Sequence, residues 1–294
     1  MTGLVRKIRE KVRATYQAAL KYRCLNMVKV EKVNRFRLRF NKLRFCATGS
    51  HLKIARARLV VHQVSPPDNY AARALQKAST YPASQQKERI ASILRHYRDT
   101  VPVYSCAQRY GFKTGEVPEL DEAPPWLIIY PWSNYDISTG IALKNNGILL
   151  ENKRDGLYLD ARQGGASFPL QDDRKIDFEA RKLLSLYQSI TDRGYQPDQN
   201  AHSQIGAVLL IDENGDWVWH VSGGFHRVTV LQVCGYTEIP VTVHGIIYRS
   251  EVKSWPNVTS GLFTADTALT YFDNIFHGRG FKEHNAWTQQ KLPD

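Results

Sequence analysis

Cysteine is scarce in this chain. Cys24, Cys46, Cys106 and Cys234 are scattered, with no Cys-x-x-Cys spacing and no histidine cluster beside them. That spacing gives neither a disulfide framework nor a structural zinc site, and it suits a reducing compartment. Long apolar runs are missing as well: no stretch approaches the ~18 residues of a membrane-crossing helix, and the first residues lack a secretory apolar segment, so the expectation is a cytoplasmic protein. Acidic residues are nearly absent from residues 1–60, which hold 17 lysines and arginines against only Glu10 and Glu31. The formal charge of +12 therefore resides there, and the rest of the 294 residues is slightly acidic. A concentrated basic excess points to an anionic surface: membrane, nucleic acid or an acidic partner.

What is present is centred on residues 205–243. Ile205 to Asp212 is a compact apolar run, Glu213-Asn214-Gly215-Asp216 has turn chemistry, and Trp217 to Val221 alternates large apolar residues with smaller or polar ones. Ser222-Gly223-Gly224 breaks that pattern. Phe225 to Cys234 then puts Val228, Leu231 and Cys234 at helical spacing, with Gly235 where a left-handed cap is wanted, and Ile239-Pro240-Val241 starts the next strand. A strand ending in two glycines and opening into a helix presents first-turn N–H groups and the positive end of the helix dipole to a ligand. Phosphate is the natural occupant, with donors from His226 and Arg227. The alternative is an ordinary strand-to-helix turn with a solvated His-Arg pair.

The string Ser222-Gly223-Gly224-Phe225-His226-Arg227, followed by Gly235-Tyr236-Thr237-Glu238-Ile239-Pro240-Val241, resembles the nucleotide-binding core of the ParB/sulfiredoxin-like family. Upstream, Arg181 to Ile190 is similar to that family's preceding helix, with Gly194 as the glycine that follows it. The resemblance spans residues 177–243. It implies an α+β, mixed-sheet nucleotide-binding domain in the C-terminal half, using ATP or ADP with Mg²⁺ as in the kinase-type members, or CTP as in partition proteins. On that resemblance Ser222, Gly223, Gly224, His226 and Arg227 form the phosphate loop, and Lys182, Ser185 and Ser189 contact nucleotide from the helix. The family's reactive cysteine is replaced by Phe225, which argues against sulfinic-acid reduction. The acidic residue that serine kinases place before this loop's glycine is replaced by Gly223, so a catalytic carboxylate must come from elsewhere.

Candidates for that carboxylate crowd the start of the helix expected over Phe178–Arg193. Glu179 lies one turn before Lys182 and is the first choice as catalytic residue, beside His226 and Arg227; Asp173 and Asp177 are the metal-ligand candidates. Asp177 is also a natural N-cap and Glu179 a favourable first-turn charge, which explains both without catalysis.

Elsewhere, Val5, Ile8, Val12, Tyr16 and Ala19 recur at steps of three and four among Arg6, Lys7, Arg9, Lys11 and Arg13. This describes a basic amphipathic helix over Leu4–Arg23, suited to peripheral contact of residues 1–23 with an anionic inner-membrane face or to docking on its own domain. Arg35 to Phe40 alternates strictly and reads as a strand paired with Leu52–Val64 across Thr48-Gly49-Ser50, a β-hairpin extension. Nucleic acid is the weaker alternative there, because Phe36 and Phe40 point opposite to the arginines. Ala71–Ala78, Gln85–Tyr97, Ser105–Tyr110 and Ala265–Phe276 read as helices, Trp126–Tyr130 as a short buried strand, and Ile141–Asp160 as hairpins around Asn145-Asn146-Gly147 and Arg154-Asp155-Gly156. The expected regions are 1–64, a basic helix plus hairpin; 65–170, an accessory helical and β region; 171–248, the nucleotide-binding domain; and 249–294, a helical extension. The expected function is a kinase moving phosphate from ATP or ADP to a hydroxyl of a small metabolite or sugar, with surface-polysaccharide biosynthesis as the context. A non-enzymatic nucleotide switch or nucleic-acid-binding module of ParB type is the alternative.

Overall fold

The computed structural model describes residues 47–59, 64–165, 172–197 and 205–293. The basic helix expected over Leu4–Arg23 and the strand expected at Arg35–Phe40 lie outside these residues. Five strands form one mixed sheet in the order β1-β5-β3-β4-β2: β1 (Ala47–Lys53), β2 (Ala57–Leu59), β3 (Gly206–Ile211), β4 (Trp217–Gly223) and β5 (Glu238–Tyr248). Antiparallel pairing joins β1 to β5 and β3 to β4, while β3 runs parallel to β5 and β2 parallel to β4. The β3–β4 turn falls where the sequence puts it: Asp212 Oδ1 accepts from the N–H groups of Asn214 and Asp216, and Gly215 takes φ 83°.

A short tether curls this sheet. β1 and β2 occupy opposite edges yet are joined only by the 3-10 turn Ile54–Arg56. The four Cα steps from Lys53 to Ala57 reach at most about 15 Å, whereas the outer strands of a flat five-stranded sheet stand about 19 Å apart. Trp219 Nε1 on β4 donates to the Lys53 carbonyl at 2.8 Å, which holds the tether against the sheet. Thr48-Gly49-Ser50 is therefore not the expected hairpin turn but part of β1, where Ser50 pairs with Val241.

Alternation along the strands loads both faces of the sheet. Ala207, Leu209, Trp219, Val221, Ile239, Val241 and Val243 pack into one apolar cluster with α1 (Tyr70–Ala78), α2 (Ala83–Thr100) and the long helix Asp173–Arg193. Leu210 and Val218 face the other cluster, built from α3 (Cys106–Arg109), α4 (Pro118–Asp121) and a C-terminal helix, Ala265–His277, whose Ala268, Tyr271, Phe272 and Ile275 are buried. The remaining helices in chain order are α5 (Ile137–Arg154), α6 (the Asp173–Arg193 helix), α7 (Phe225–Val233), α8 (Pro256–Thr259), α9 (the Ala265–His277 helix) and α10 (Lys282–Thr288). The architecture is α+β, and among the described residues no helix is long and apolar enough to cross a membrane.

Three expectations fail locally. Ile141–Asp160 does not form hairpins; α5 covers most of it, started by Asp136, whose Oδ1 accepts from Thr139 N at 2.8 Å. The Asn146-Gly147 pair that suggested a turn lies on the exposed side of this helix, while Ile148 and Asn152 are buried on the other. Trp126–Tyr130 is not a strand: Trp126 lies in a turn, and side chains satisfy the backbone that follows, the Leu127 carbonyl accepting from Arg109 Nη1 and Tyr110 Oη, and Ile129 N donating to Tyr110 Oη. Finally, α6 begins a full turn earlier than expected. Its N-cap is Asp172, accepting from Arg174 N at 2.8 Å, so Asp177 is not a cap.

Candidate functional site

β4 runs out at Gly223, and Gly224 turns the chain into α7 with φ 83° and no side-chain cap. A Cβ at Gly224 would stand 3.1 Å from Ile205 Cγ1 and 3.2 Å from Ile205 Cα, so both the backbone angle and the space demand glycine there. Gly223 is under no such demand: its nearest neighbour is Gly206 N at 4.0 Å, and its missing side chain leaves the approach to α7 open. First-turn N–H groups and the positive end of the helix dipole face that approach. Ser222 and Gly223 are exposed, and His226 and Arg227 are half-buried in the first turn.

Beneath this turn lies a buried ionic cluster shared by three helices. Glu179 of α6 is 2 % exposed, and its Oε2 stands 3.1 Å from Nε2 of His226. Its Oε1 meets Lys175 Nζ at 3.1 Å and Lys182 Nζ at 3.8 Å. From α5 and its C-cap, Glu151 Oε1 and Asp155 Oδ2 each lie 3.7 Å from Lys175 Nζ, and Glu151 also lies 3.7 Å from Lys182 Nζ. Lys175 is fully enclosed; Lys182, Glu151 and His226 keep side-chain exposures of 35 %, 29 % and 16 %, and so form the open side. The buried atoms Lys175 Nζ, Glu179 Oε1 and Glu179 Oε2 lack the alignment of directed hydrogen bonds, so charge holds the cluster together.

Burial drives the protonation states first, and the neighbours then decide them. Burial pushes the Glu179 carboxyl up; a proton on His226, and after it the Lys182 and Lys175 ammonium groups, outweigh it and hold the group below its ordinary value, as a carboxylate. For His226, burial lowers the imidazole and the Glu179 charge only partly opposes this, so the ring is neutral at pH 7. Three formal carboxylates then face two ammonium groups, and one proton accepted by His226 brings the cluster to neutrality. An imidazole kept neutral by burial, with a carboxylate 3.1 Å away to stabilise its protonated form, has the properties of a general base.

Of the residues singled out in the sequence, Glu179, Lys182 and His226 converge, and Arg227 follows in the same turn of α7. Ser185 is exposed further along α6, and Ser189 Oγ accepts from Arg193 Nη2 at 2.7 Å; neither enters the cluster. Asp173 and Asp177 are not brought to it either. They face α2, where Arg98 Nη1 reaches Asp173 at 2.6 Å and Arg95 Nη2 reaches Asp177 at 2.6 Å. The acidic ligand atoms that do converge belong to Glu151, Asp155 and Glu179, all within 4.8 Å of one another. Lys175 Nζ lies among them and is itself their cation, so this donor set does not fit a resident metal.

Lys175, Glu151 and Asp155 were missed in the sequence. Lys175, Glu179 and Lys182 at spacings of four and three mark one face of a helix, a signal available without the structure. Glu151 and Asp155 carry the same four-residue spacing, hidden by reading α5 as hairpins. Comparisons of this chain with protein-family models, with curated proteins and with solved structures return no match.

Proposed function

We propose that this chain is a nucleotide-dependent phosphotransferase built on a ParB/sulfiredoxin-like domain, which moves a phosphoryl group from ATP or ADP to the hydroxyl of a small metabolite or sugar. The observation that carries this reading is the Glu179–His226 pair set directly under a glycine-capped helix start: a charge-supported base and a phosphate-binding backbone occupy one turn. The N–H groups at the start of α7, Arg227 and the partly exposed ammonium of Lys182 hold the phosphates. His226 accepts the acceptor's hydroxyl proton as its oxygen bonds to the terminal phosphorus and the bond to the nucleotide's bridging oxygen breaks. Glu179 positions the imidazole and stabilises its charge. Mg²⁺ enters only as the counter-ion that a nucleotide carries on its own phosphates. The basic residues 1–23 would hold the enzyme at an anionic membrane face, which accords with an acceptor in surface-glycan assembly.

The test uses ATP labelled at the γ-phosphate, pooled sugars and small hydroxyl metabolites, the wild-type protein and His226→Gln. The expected result is a nucleotide-induced rise in Tm for both proteins and label transfer by the wild type alone. Equal transfer by His226→Gln would remove the base assignment. Binding without transfer would favour the non-enzymatic switch, and no Tm rise with ATP, ADP or CTP would end the nucleotide reading.

A further inference from the structure

Arg109, the last residue of α3, is 1 % exposed. Its Nη1 is fixed by the main-chain carbonyls of Pro125 and Leu127, at 3.0 and 3.3 Å. Its Nε and Nη2 are buried and, among the described residues, meet no acceptor and no ion-pair partner. These two atoms make up the side-on edge of a guanidinium, whose parallel N–H bonds match the two oxygens of a carboxylate or phosphate. The same protein uses that edge twice elsewhere: Arg249 grips Asp273 through Nε and Nη2 at 2.8 and 2.9 Å, and Arg174 grips Asp172 at 3.0 and 2.8 Å. Arg109 presents the identical fork in a far more enclosed place, where an unmatched charge is most costly.

Its surroundings add positive charge and aromatic surface. The guanidinium carbon lies 5.9 Å from the centre of the Tyr110 ring. Lys144, on α5, is pushed down to about 8, chiefly by burial and then by the Arg109 charge, with Glu151 opposing, so its ammonium lies within electrostatic reach of both. Tyr70 likewise feels Glu179 and Arg109 together. Lys144 and Glu151 are seven residues apart on one face of α5, about 10 Å of helix. Lys144 and Tyr70 thus each sense both the Arg109 charge and an acid of the Glu179 cluster.

We propose that the Nε/Nη2 edge of Arg109 is a binding site for an oxyanion, the carboxylate or phosphate of a small ligand. Where the phosphotransfer reading holds, on which this assignment to the acceptor rests, the acceptor is an anionic molecule whose charged group anchors at Arg109.

Thermal-shift titrations with inorganic phosphate and with malonate, against chloride at matched ionic strength, test the site without a nucleotide. Wild type, Arg109→Lys, Lys144→Met and Arg227→Ala are compared. Dose-dependent stabilisation of the wild type and of Arg227→Ala is expected, with the apparent Kd about tenfold weaker in Arg109→Lys, which keeps the charge and loses the fork, and weakened also in Lys144→Met. The better of the two anions names the ligand's group. Stabilisation no greater than with chloride, or stabilisation lost in Arg227→Ala alone, overturns the proposal. Should Arg109→Lys fail to fold, Lys144→Met decides: an unchanged anion response overturns the site. Failure of nucleotides to bind, with the Arg109-dependent anion response intact, would remove the phosphotransferase reading and leave this one standing.

Discussion

The imidazole of His226 links two helices: its Nε2, in the first turn of α7, stands 3.1 Å from Oε2 of Glu179 in the second turn of α6. Glu179→Gln keeps the shape of that contact and removes its charge. The imidazole then loses the neighbour that raises its pKa, and Lys175 keeps only Glu151 and Asp155. We expect a loss of about 3 kcal/mol in stability, read by denaturant titration, and a His226 imidazole that is harder to protonate, read by NMR. A His226 that titrates at higher pH in the variant would show that Glu179 is not its partner.

Lys175→Met removes the cation from among three carboxylate oxygen donors that lie within 4.8 Å of one another. Destabilisation of roughly 3–5 kcal/mol should follow. Because the ammonium is what fills this site, the variant should gain a Mn²⁺-dependent rise in Tm that the wild type lacks. If Mn²⁺ affects both proteins alike, Lys175 is not the resident cation.

The two loop glycines should behave differently. Gly224→Ala forces a left-handed alanine against Ile205 and should cost at least 1–2 kcal/mol. Gly223→Ala meets nothing closer than 4.0 Å and should leave the urea midpoint within error, while its methyl group crowds the phosphate approach and weakens nucleotide binding. Nucleotide affinity untouched by Gly223→Ala would place the ligand elsewhere.

Arg227→Ala should weaken nucleotide binding by roughly 1.5–3 kcal/mol through loss of a charge-assisted contact. Isothermal titration of both proteins reads this directly, and equal affinities would take Arg227 out of the phosphate site.

Acid should unfold the protein earlier than its carboxylates alone require. Burial lowers His220 and His284 each to about 4 from an ordinary 6.5. Their unfolded forms bind protons first as pH falls, so stability is full above about 6.5 and drops through the window down to about 4, by about 1.4 kcal/mol per pH unit for each histidine. Denaturant midpoints at pH 7 and pH 5 measure the drop, and His220→Leu should flatten it by that residue's share. A midpoint that rises toward pH 5 would contradict the buried neutral rings.

The strand, turn, glycine pair, helix and strand of residues 205–248 were legible because each rests on local chemistry: apolar alternation, an Asp-capped turn at Asp212, and glycines at positive φ in Gly215, Gly224 and Gly235. What misled was also local chemistry, overridden from outside. Asn146-Gly147 signals a turn, yet α5 forms because its opposite face buries Ile148 and Asn152, and Asn152 Nδ2 donates to the carbonyls of Leu159 and Gly164. The apolar run at Trp126–Tyr130 looks like a strand until Arg109 and Tyr110 take its backbone bonds. At the site, Glu179 and His226 were both singled out, but Lys175 as their cation was not. Nothing in its own neighbourhood says that a lysine will be fully enclosed; that follows from two acidic residues on a helix that the sequence reading did not recognise.

The tether Ile54–Arg56 has a consequence for how the chain folds. β1 and β2 are made well before their partners β5 and β4, so the registers Ser50↔Val241 and Ala57↔Trp219 are among the most non-local strand pairings of the described residues. Until they form, β5 and β4 each present an unpaired edge, and such edges are where nascent chains capture one another. One thirteen-residue segment, Ala47–Leu59, seals both edges at once. Slow refolding and aggregation of a partly folded species should therefore be cured or worsened together by changes in this segment, because it adds both outer strands in a single late event.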